Sequence, residues 1–226
     1  MEEPMSYLYE THCHCSQCSR CAHSTASELV HAYHAAGYAG LVLTDHFVLG
    51  NTAVDLSLPW EAQVRRYYDT FLEAKALGDT LDFDVIFGIE HACPGGEFLC
   101  YGLDLSFLLD HPEIPNLSLD QFVALAHEHG ILVIQAHPYR WAPAGTPLRL
   151  DILDGIEVYN AGNHPDSNRA AAEVPGDFIR TSGGDIHRAD DPKIGQAGIR
   201  LPHRVQNSTE LAQALRKEIF NLQTGW

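Results

Sequence analysis

The sequence predicts an α/β fold of barrel size, and three observations carry the prediction. Short apolar runs rich in branched residues alternate with stretches of helical periodicity along the whole chain, the pattern of a largely parallel sheet with right-handed helical crossovers. The length, 226 residues, suits one α/β barrel of about 200 to 250 residues, so a single domain over residues 1–226 is expected. Histidines and carboxylates also stand at the ends of the apolar runs: His12 and His14 after 7–10, Asp45 and His46 after 40–44, Glu90 and His91 after 85–89, His137 after 131–136, Glu157 after 155–156, and Asp185 and His187 after 178–184. In parallel α/β folds the carboxyl ends of the strands face one crevice. Residues far apart in sequence are therefore expected to meet in a metalloenzyme site.

The elements follow in order. Residues 27–36 place Leu29, Val30, Tyr33 and Ala36 at helical spacing, with Ser24 and Thr25 as candidate N-caps and Gly37 as a stop. A strand over 40–44 comes next. Pro59 opens a second helix through about residue 77, its buried face formed by Trp60, Val64, Tyr67, Tyr68, Phe71 and Leu72, and Gly78 ends it. Residues 84–89 and 97–102 read as strands, 118–129 as a helix closed by Gly130, and 131–136 as a fully buried strand. Strands over 155–158 and 178–181 flank a helical stretch near 168–173, and 209–220 is the last helix. The segments 51–58 and 139–150, the latter with Pro143, Gly145 and Pro147, are long enough to be lids over the crevice.

Composition excludes several classes of partner. Fourteen basic against 30 acidic side chains give a formal net charge of −16, which argues against extended binding to a nucleic-acid backbone. Bound divalent cations would invert the field locally, so a small anionic substrate stays compatible. No run approaches the roughly 18 apolar residues of a membrane span. The start, Met-Glu-Glu-Pro-Met, lacks the basic and apolar stretches of an export signal, and the expectation is a cytoplasmic protein. Four of the six cysteines, Cys13, Cys15, Cys18 and Cys21, crowd beside the opening histidines. Cys15, Cys18 and Cys21 have the spacing of some iron–sulfur ligands, but no fourth cysteine follows at the required distance. The sequence offers no sign of a disulfide framework either.

The order His12-x-His14, Thr44-Asp45-His46, Glu90, His137 and Gly184-Asp185-x-His187 resembles the PHP family, named for polymerase and histidinol phosphatase. Each piece alone is weak; their coincidence in order after strand-like runs carries the resemblance. It implies a distorted (β/α)7 TIM-like barrel with two or three divalent ions, Mn, Fe or Zn, at the carboxyl ends of its strands. By the same resemblance the first ion takes His12, His14, Glu90 and Asp185, the second is bridged by Glu90 and joined by His137, and His46 and His187 hold the third. Alternate residues of a strand share a side, so His12 and His14 can reach one ion while Cys13 points away.

Two positions depart from the family pattern. Glu97 stands where a histidine ligand is usual before a short strand, and an oxygen donor there favours Mn or Fe over Zn. Cys21, with His23 two residues later, stands where a further histidine or aspartate would serve the third ion; either one is a candidate. Arg140 and Arg188 are placed to grip phosphate by a guanidinium fork or to form salt bridges at the rim. Asp45 is expected to support a neighbouring ligand, His91 to face away, and Asn160 to line the pocket or cap a turn. The implied activity is hydrolysis of a small phosphate ester by metal-bound hydroxide, with Asp185, His187, Arg140 and Arg188 as catalytic candidates. Phosphodiesterase, phosphotyrosine phosphatase and a non-catalytic metal- or metabolite-binding module are the alternatives.

Overall fold

The computed structural model describes residues 6–140, 149–217 and 220–226. Its strands are β1 (Tyr7–Cys13), β2 (Gly40–Leu43), β3 (His46–Phe47), β4 (Asp84–Phe87), β5 (Ile89–Cys93), β6 (Gly96–Tyr101), β7 (Leu132–Gln135), β8 (Gly155–Asn160), β9 (Ile179–Gly183), β10 (Gly198–Leu201) and β11 (Asn221–Gln223). Its helices are α1 (Ala26–Ala35), α2 (Trp60–Thr80), α3 (Leu105–Asp110), α4 (Leu119–Glu128), α5 (Pro165–Ala172) and α6 (Ser208–Arg216). The strands form two sheets, one in the order β11-β10-β1-β2-β4 and the other in the order β3-β5-β6-β7-β8-β9.

The α/β class is as expected, while a uniform strand–helix repeat is not. β6 runs antiparallel to both β5 and β7, because only Pro94 and Gly95 separate it from β5, and so short a connection can join only antiparallel neighbours. Gly95 and Gly96 take φ of 117° and 151°, which such a turn requires. β10 is antiparallel to β1 and β11, and neither β10, β11 nor α3 was expected. The other pairings in the vicinity of the crevice, β1 with β2, β2 with β4, β3 with β5, β7 with β8 and β8 with β9, are parallel.

The two sheets are joined at both sides of the crevice. Cys13 forms a parallel bridge with Ile186, where the Asp185 amide donates to the His12 carbonyl (2.7 Å) and the His14 amide to the Ile186 carbonyl (2.9 Å). Opposite, the amides of Gly88 and Glu90 donate to the carbonyls of Leu43 (2.9 Å) and Asp45 (3.0 Å). These bonds align the carboxyl ends of β1, β2, β3 and β9 with β5.

Strand alternation sorts the apolar residues into two layers. Leu41, Leu43, Val85 and Phe87 pack with Leu29, Val30, Val64, Tyr67 and Phe71 of α1 and α2. Val42 and Ile86 turn the other way, into a cluster with Tyr9, Leu99, Tyr101, Leu132 and Ile134 that α6 closes with Leu211, Ala212 and Leu215. Thr25 and Ser118 cap α1 and α4 through capping boxes with Glu28 and Gln121.

Several boundaries differ from the sequence reading. α2 continues past Gly78 to Thr80; the glycine serves packing, since an added Cβ would lie 2.9 Å from Val85 Cγ2. Leu72 is 46% exposed, not part of the buried face. α6 ends at Arg216, and β11 occupies the region beyond it. The segment 51–58 is tied down: Thr52 and Val54 are buried, Ser19 bridges Thr52, and the Ala53 amide donates to the Cys18 carbonyl at 2.7 Å. Of the second expected lid, residues 141–148 lie outside the described residues. Among the described residues no helix is long and apolar enough to cross a membrane.

Candidate metal centre

The site begins with a buried carboxylate inside β1. The register of β1 on β2 shifts between Glu10 and Cys13, which leaves amides without ladder partners. Glu10 Oε1 accepts from the amides of Thr11 (2.9 Å), His12 (2.8 Å) and Gly184 (2.7 Å), and Oε2 accepts from the Tyr33 hydroxyl (2.7 Å). Burial raises this carboxyl to about 7 despite those donors. The arrangement fixes the backbone from which His12 and His14 project and ties it to the turn before Asp185.

His12 and His14 face each other with their Nε2 atoms 3.1 Å apart. His12 Nε2 is 3.3 Å from Glu90 Oε1 and 3.5 Å from Asp185 Oδ1, and His14 Nε2 is 3.1 Å from the same Asp185 oxygen. His137 Nε2 lies 3.0 Å from Glu90 Oε1 and 3.4 Å from Glu97 Oε2. His46 Nδ1 lies 2.6 Å from Glu90 Oε2 and 4.0 Å from Glu97 Oε1. His187 Nε2 is 3.1 Å from Cys21 Sγ. The rings of His46 and His187 stack on His14 at 4.3 and 4.5 Å. The structure therefore brings His12, His14, His46, Glu90, Glu97, His137, Asp185, His187 and Cys21 to one crevice. Glu90 is central, with one oxygen toward His12 and His137 and the other toward His46.

Two of the candidate ligands adopt left-handed backbone, His137 at φ 27° and Asp185 at φ 54°. Such conformations persist where the surroundings hold them. The His137 amide donates to Glu157 Oε2 (2.8 Å) and the Asp185 amide to the His12 carbonyl, so each side chain is aimed by a bond to another strand.

The donor set fits divalent cations. His46 Nδ1 and Glu90 Oε2 are both buried and only 2.6 Å apart, yet neither has a hydrogen-bond partner of acceptable geometry. A buried pair left in that state is expensive unless its lone pairs meet a positive charge. Ring nitrogens and carboxylate oxygens of His12, His14 and Glu90, of His12, His137 and Asp185, and of His46, Glu90 and Glu97 each converge within 4.8 Å. The charges agree with this. Burial opposes the ionised forms of Glu90 and Asp185, but His12 and its neighbours outweigh it and hold both carboxyls well below their ordinary range. Burial also works against a proton on His12, yet Asp185, Glu157 and Glu90 raise it well above its usual value. His14, for which burial dominates, is lowered to about 3. The Cys21 thiol, which burial would raise, is lowered to about 6 by His187 and His46.

A cavity of about 400 Å³ opens beside these candidate ligands, lined by Arg140, Gly162, Asn163, His164, Asp185 and His187. Arg140 reaches Asp185 Oδ2 with Nη1 (2.6 Å) and donates to Asn160 Oδ1 (2.9 Å) and Asn163 Oδ1 (2.8 Å). Its guanidinium is held by three partners. Arg188 is not brought there: its side chain is 54% exposed and forks onto Asp190, two residues along the same loop, which turns it to solvent. His23 is exposed, and only its amide joins the region, donating to the His187 carbonyl at 2.8 Å.

Supporting residues complete the geometry. Asp45 accepts from the Cys15 amide and the Ser19 hydroxyl, both at 2.7 Å, and Ser19 Oγ lies 3.4 Å from His14 Nδ1 and accepts from the His46 amide at 3.1 Å. Asp45 thus steadies two histidines through a serine. His91 turns away and stacks on Phe122 of α4 at 4.1 Å. Glu157 and Glu10 escaped assignment at the sequence level, although Glu157 ends an apolar run as the expected ligands do. Glu10 gave no signal, being one carboxylate within a strand.

No family model matches the chain, and no curated protein sequence does. Solved structures do match. A two-domain protein from Bacteroides vulgatus, containing a predicted PHP-like metal-dependent phosphoesterase, superposes with a TM-score of 0.68 at 15% identity over 97% of this chain. This chain spans 65% of that protein, less than two thirds of its length. A provisionally designated metal-dependent phosphoesterase from Bifidobacterium adolescentis gives 0.56 at 15% identity, covering 95% of this chain and 98% of that one. An amidohydrolase from Chromobacterium violaceum, with sulfate bound and no metal, gives 0.54 at 16% identity over 79% and 87%. At these identities the likeness speaks to architecture. The chain has the fold of the PHP-like metal-dependent phosphoesterases.

Proposed function

We propose that this chain is a PHP-type metal-dependent phosphoesterase that hydrolyses a small phosphorylated substrate, a phosphomonoester of histidinol-phosphate or nucleotide size. The observation that carries the reading is the convergence of His12, His14, His46 and His137 on the buried Glu90 carboxylate, with Asp185 against His12 and His14 and Glu97 against His46 and His137, beside an arginine-lined cavity. In this reading the two sheets act as one distorted barrel, a view supported by the bonds between Cys13 and Ile186 and between Glu90 and Asp45.

His12, His14, Glu90 and Asp185 would hold one cation, and Glu90, Glu97 and His137 a second. Bound divalent cations supply Lewis-acid charge and water activated near neutral pH. The protein's own residues do the rest. Arg140 offers a planar fork to the phosphoryl group, and Asn160 and Asn163 keep that fork oriented before substrate arrives, which places positive charge where negative charge grows in the transition state. Asp185 accepts from Arg140 with one oxygen and turns the other to His12 and His14, linking the phosphate grip to the ligands. His187 Nδ1 lies 2.9 Å from the Asp185 carbonyl and its Nε2 faces Cys21. Both nitrogens are engaged, so its role is to shape the centre and not to protonate the leaving oxygen. The formal net charge of −16 disfavours extended binding to a nucleic-acid backbone and so supports a compact substrate.

The test is turnover of a panel of phosphomonoesters and phosphodiesters by chelator-stripped protein reconstituted with Mn, Zn or Fe, with bound metal quantified in the same sample. Monoester hydrolysis that vanishes with chelator and in His12→Ala supports the proposal. Preferential diester hydrolysis would move the assignment to a phosphodiesterase, and two or more equivalents of metal with no turnover across the panel would overturn it in favour of a binding module.

A further inference from the structure

Behind the crevice, on the side of α2, two thiols and a carboxylate meet in the core. Cys15 and Cys18 belong to the apolar layer that packs with α1 and α2, and Cys18 Sγ lies 3.6 Å from Thr70 Oγ1 of α2. The amides of Cys18 and Ser19 donate to the Cys15 carbonyl at 3.2 and 2.9 Å, a tight turn that brings Cys18 back beside Cys15. Asp45, just past β2, divides its two oxygens. Oδ1 accepts from the Cys15 amide and the Ser19 hydroxyl, while Oδ2 accepts from the Cys15 thiol at 3.0 Å. The two sulfurs and a carboxylate oxygen come within 4.8 Å of one another. Cys15, Cys18 and Asp45 are 0%, 1% and 5% exposed, so bulk water does not compete for these donors.

Two chemistries use such a cluster. A dithiol alone can close to a disulfide, but that needs a thiolate within reach of an oxidant, and burial in apolar surroundings opposes both. A bound cation uses all three groups, the carboxylate included, and Asp45 therefore favours it. Thiolates select zinc-class ions over manganese or magnesium, and a Cys-x-x-Cys turn is a common way to present two of them to zinc. The third cysteine of the run, Cys21, stands apart, with its sulfur against His187 in the crevice.

We propose that Cys15, Cys18 and Asp45 form a structural zinc-class site, separate from the crevice, that ties the loop after β1 to the end of β2. One divalent ion enters and two thiol protons leave to solvent, so the net charge of the cluster is unchanged. The Oδ1 bonds to Cys15 and Ser19 stay available, and with them the support that Ser19 gives to His14 and His46. The inference does not rest on ester hydrolysis or on what the crevice binds.

Cys21 could give a thiolate signal of its own, so the experiment uses the chelator-stripped full chain carrying Cys21→Ser, loaded with cobalt(II). A thiolate-to-cobalt charge-transfer band in the near ultraviolet is expected, displaced by zinc and not by manganese. Adding Cys18→Ala should abolish the band and remove one equivalent of cobalt, whereas adding His12→Ala should leave the band in place. No band in Cys21→Ser, or a band that survives Cys18→Ala, overturns the proposal. A disulfide between Cys15 and Cys18 by mass spectrometry, with no band after its reduction, overturns it in favour of a redox pair. Should Cys21→Ser fail to fold, iodoacetamide on native wild type blocks Cys21 and Cys93, the two partly exposed thiols, and the same band is read. Should Cys18→Ala fail to fold, zinc X-ray absorption of the Cys21-blocked protein decides: sulfur at about 2.3 Å from zinc is expected, and nitrogen and oxygen neighbours alone overturn the site. Absence of phosphoesterase turnover would count against the function proposed above and leave this inference standing.

Discussion

Glu157 Oε1 lies 3.1 Å from His12 Nδ1, on the side of the ring remote from Glu90 and Asp185. The second Glu157 oxygen accepts from the His137 amide and from the Asn160 side chain, both at 2.8 Å. One buried carboxylate therefore engages Nδ1 of His12, leaving Nε2 to face the crevice, and ties down the left-handed backbone of His137. Ligating imidazoles depend on such partners for orientation and basicity.

Glu157→Gln keeps the shape of this partner and removes its charge. Metal affinity is expected to fall roughly 10- to 100-fold, the usual cost of losing an outer-shell carboxylate, with an unchanged far-ultraviolet circular dichroism spectrum. Competition with a chromophoric chelator measures the affinity, and an unchanged dissociation constant would remove Glu157 from the design.

Gly183 lies where β9 passes the same pair. An added Cβ would stand 2.6 Å from His12 Cβ and 3.1 Å from Thr11 Oγ1, and would press on Glu157 Oε1. None of these neighbours is the free end of a mobile chain. Gly183→Ala is expected to lower stability by about 1 to 3 kcal/mol, as overpacking does, and to weaken metal binding as well. Denaturant unfolding checks the first and the chelator assay the second.

Arg140 tests the phosphate grip apart from the metals. Arg140→Ala should lower kcat by roughly 10²- to 10³-fold at saturating metal, the cost of one preorganised donor to the transition state. Arg140→Lys keeps the charge but not the fork, so it should recover only part of the loss. Full activity in Arg140→Ala would place the phosphate elsewhere.

His91 predicts a pH dependence of stability. It is fully buried with both ring nitrogens unpartnered, and burial lowers its pKa from 6.5 to about 4. An unfolded chain takes up a proton near 6.5 that the folded chain refuses until about 4. Stability is therefore full above pH 6.5 and declines as the pH falls between the two values, by about 3 kcal/mol at most from this group. His91→Leu should flatten that limb of the acid unfolding curve and leave neutral-pH stability equal or higher, since it removes two unsatisfied buried atoms. An identical acid limb in the variant would sink this account.

Much of the architecture was legible because it is written in local patterns. α1 and α4 carry their caps in the chain, at Thr25 with Glu28 and at Ser118 with Gln121. His137 and Asp185 stand just past the ends of β7 and β9, and the parallel pairing of β8 with β9 follows from the helix α5 between them. β6 was legible as a strand but not in its direction, which the two-residue turn at Pro94 and Gly95 decides. The short α3, β10 and β11 lack a periodic stretch long enough to register. Arg188 could be read from the sequence either as a phosphate grip or as a rim salt bridge, and its fork onto Asp190, two residues away, matches the second.

By itself the sequence determined the alternation of elements, the set of histidines and carboxylates that follow the apolar runs, and a formal net charge of −16. Only the tertiary structure decided that Cys21 and not His23 faces the crevice, that Glu10 organises the backbone of β1, and that Glu157 orients His12 from 145 residues away. Local periodicity fixes which face a side chain takes, and so predicts what can reach the crevice. The partner it meets there depends on the register between strands distant in sequence, which is set by packing and interstrand hydrogen bonds across the whole molecule.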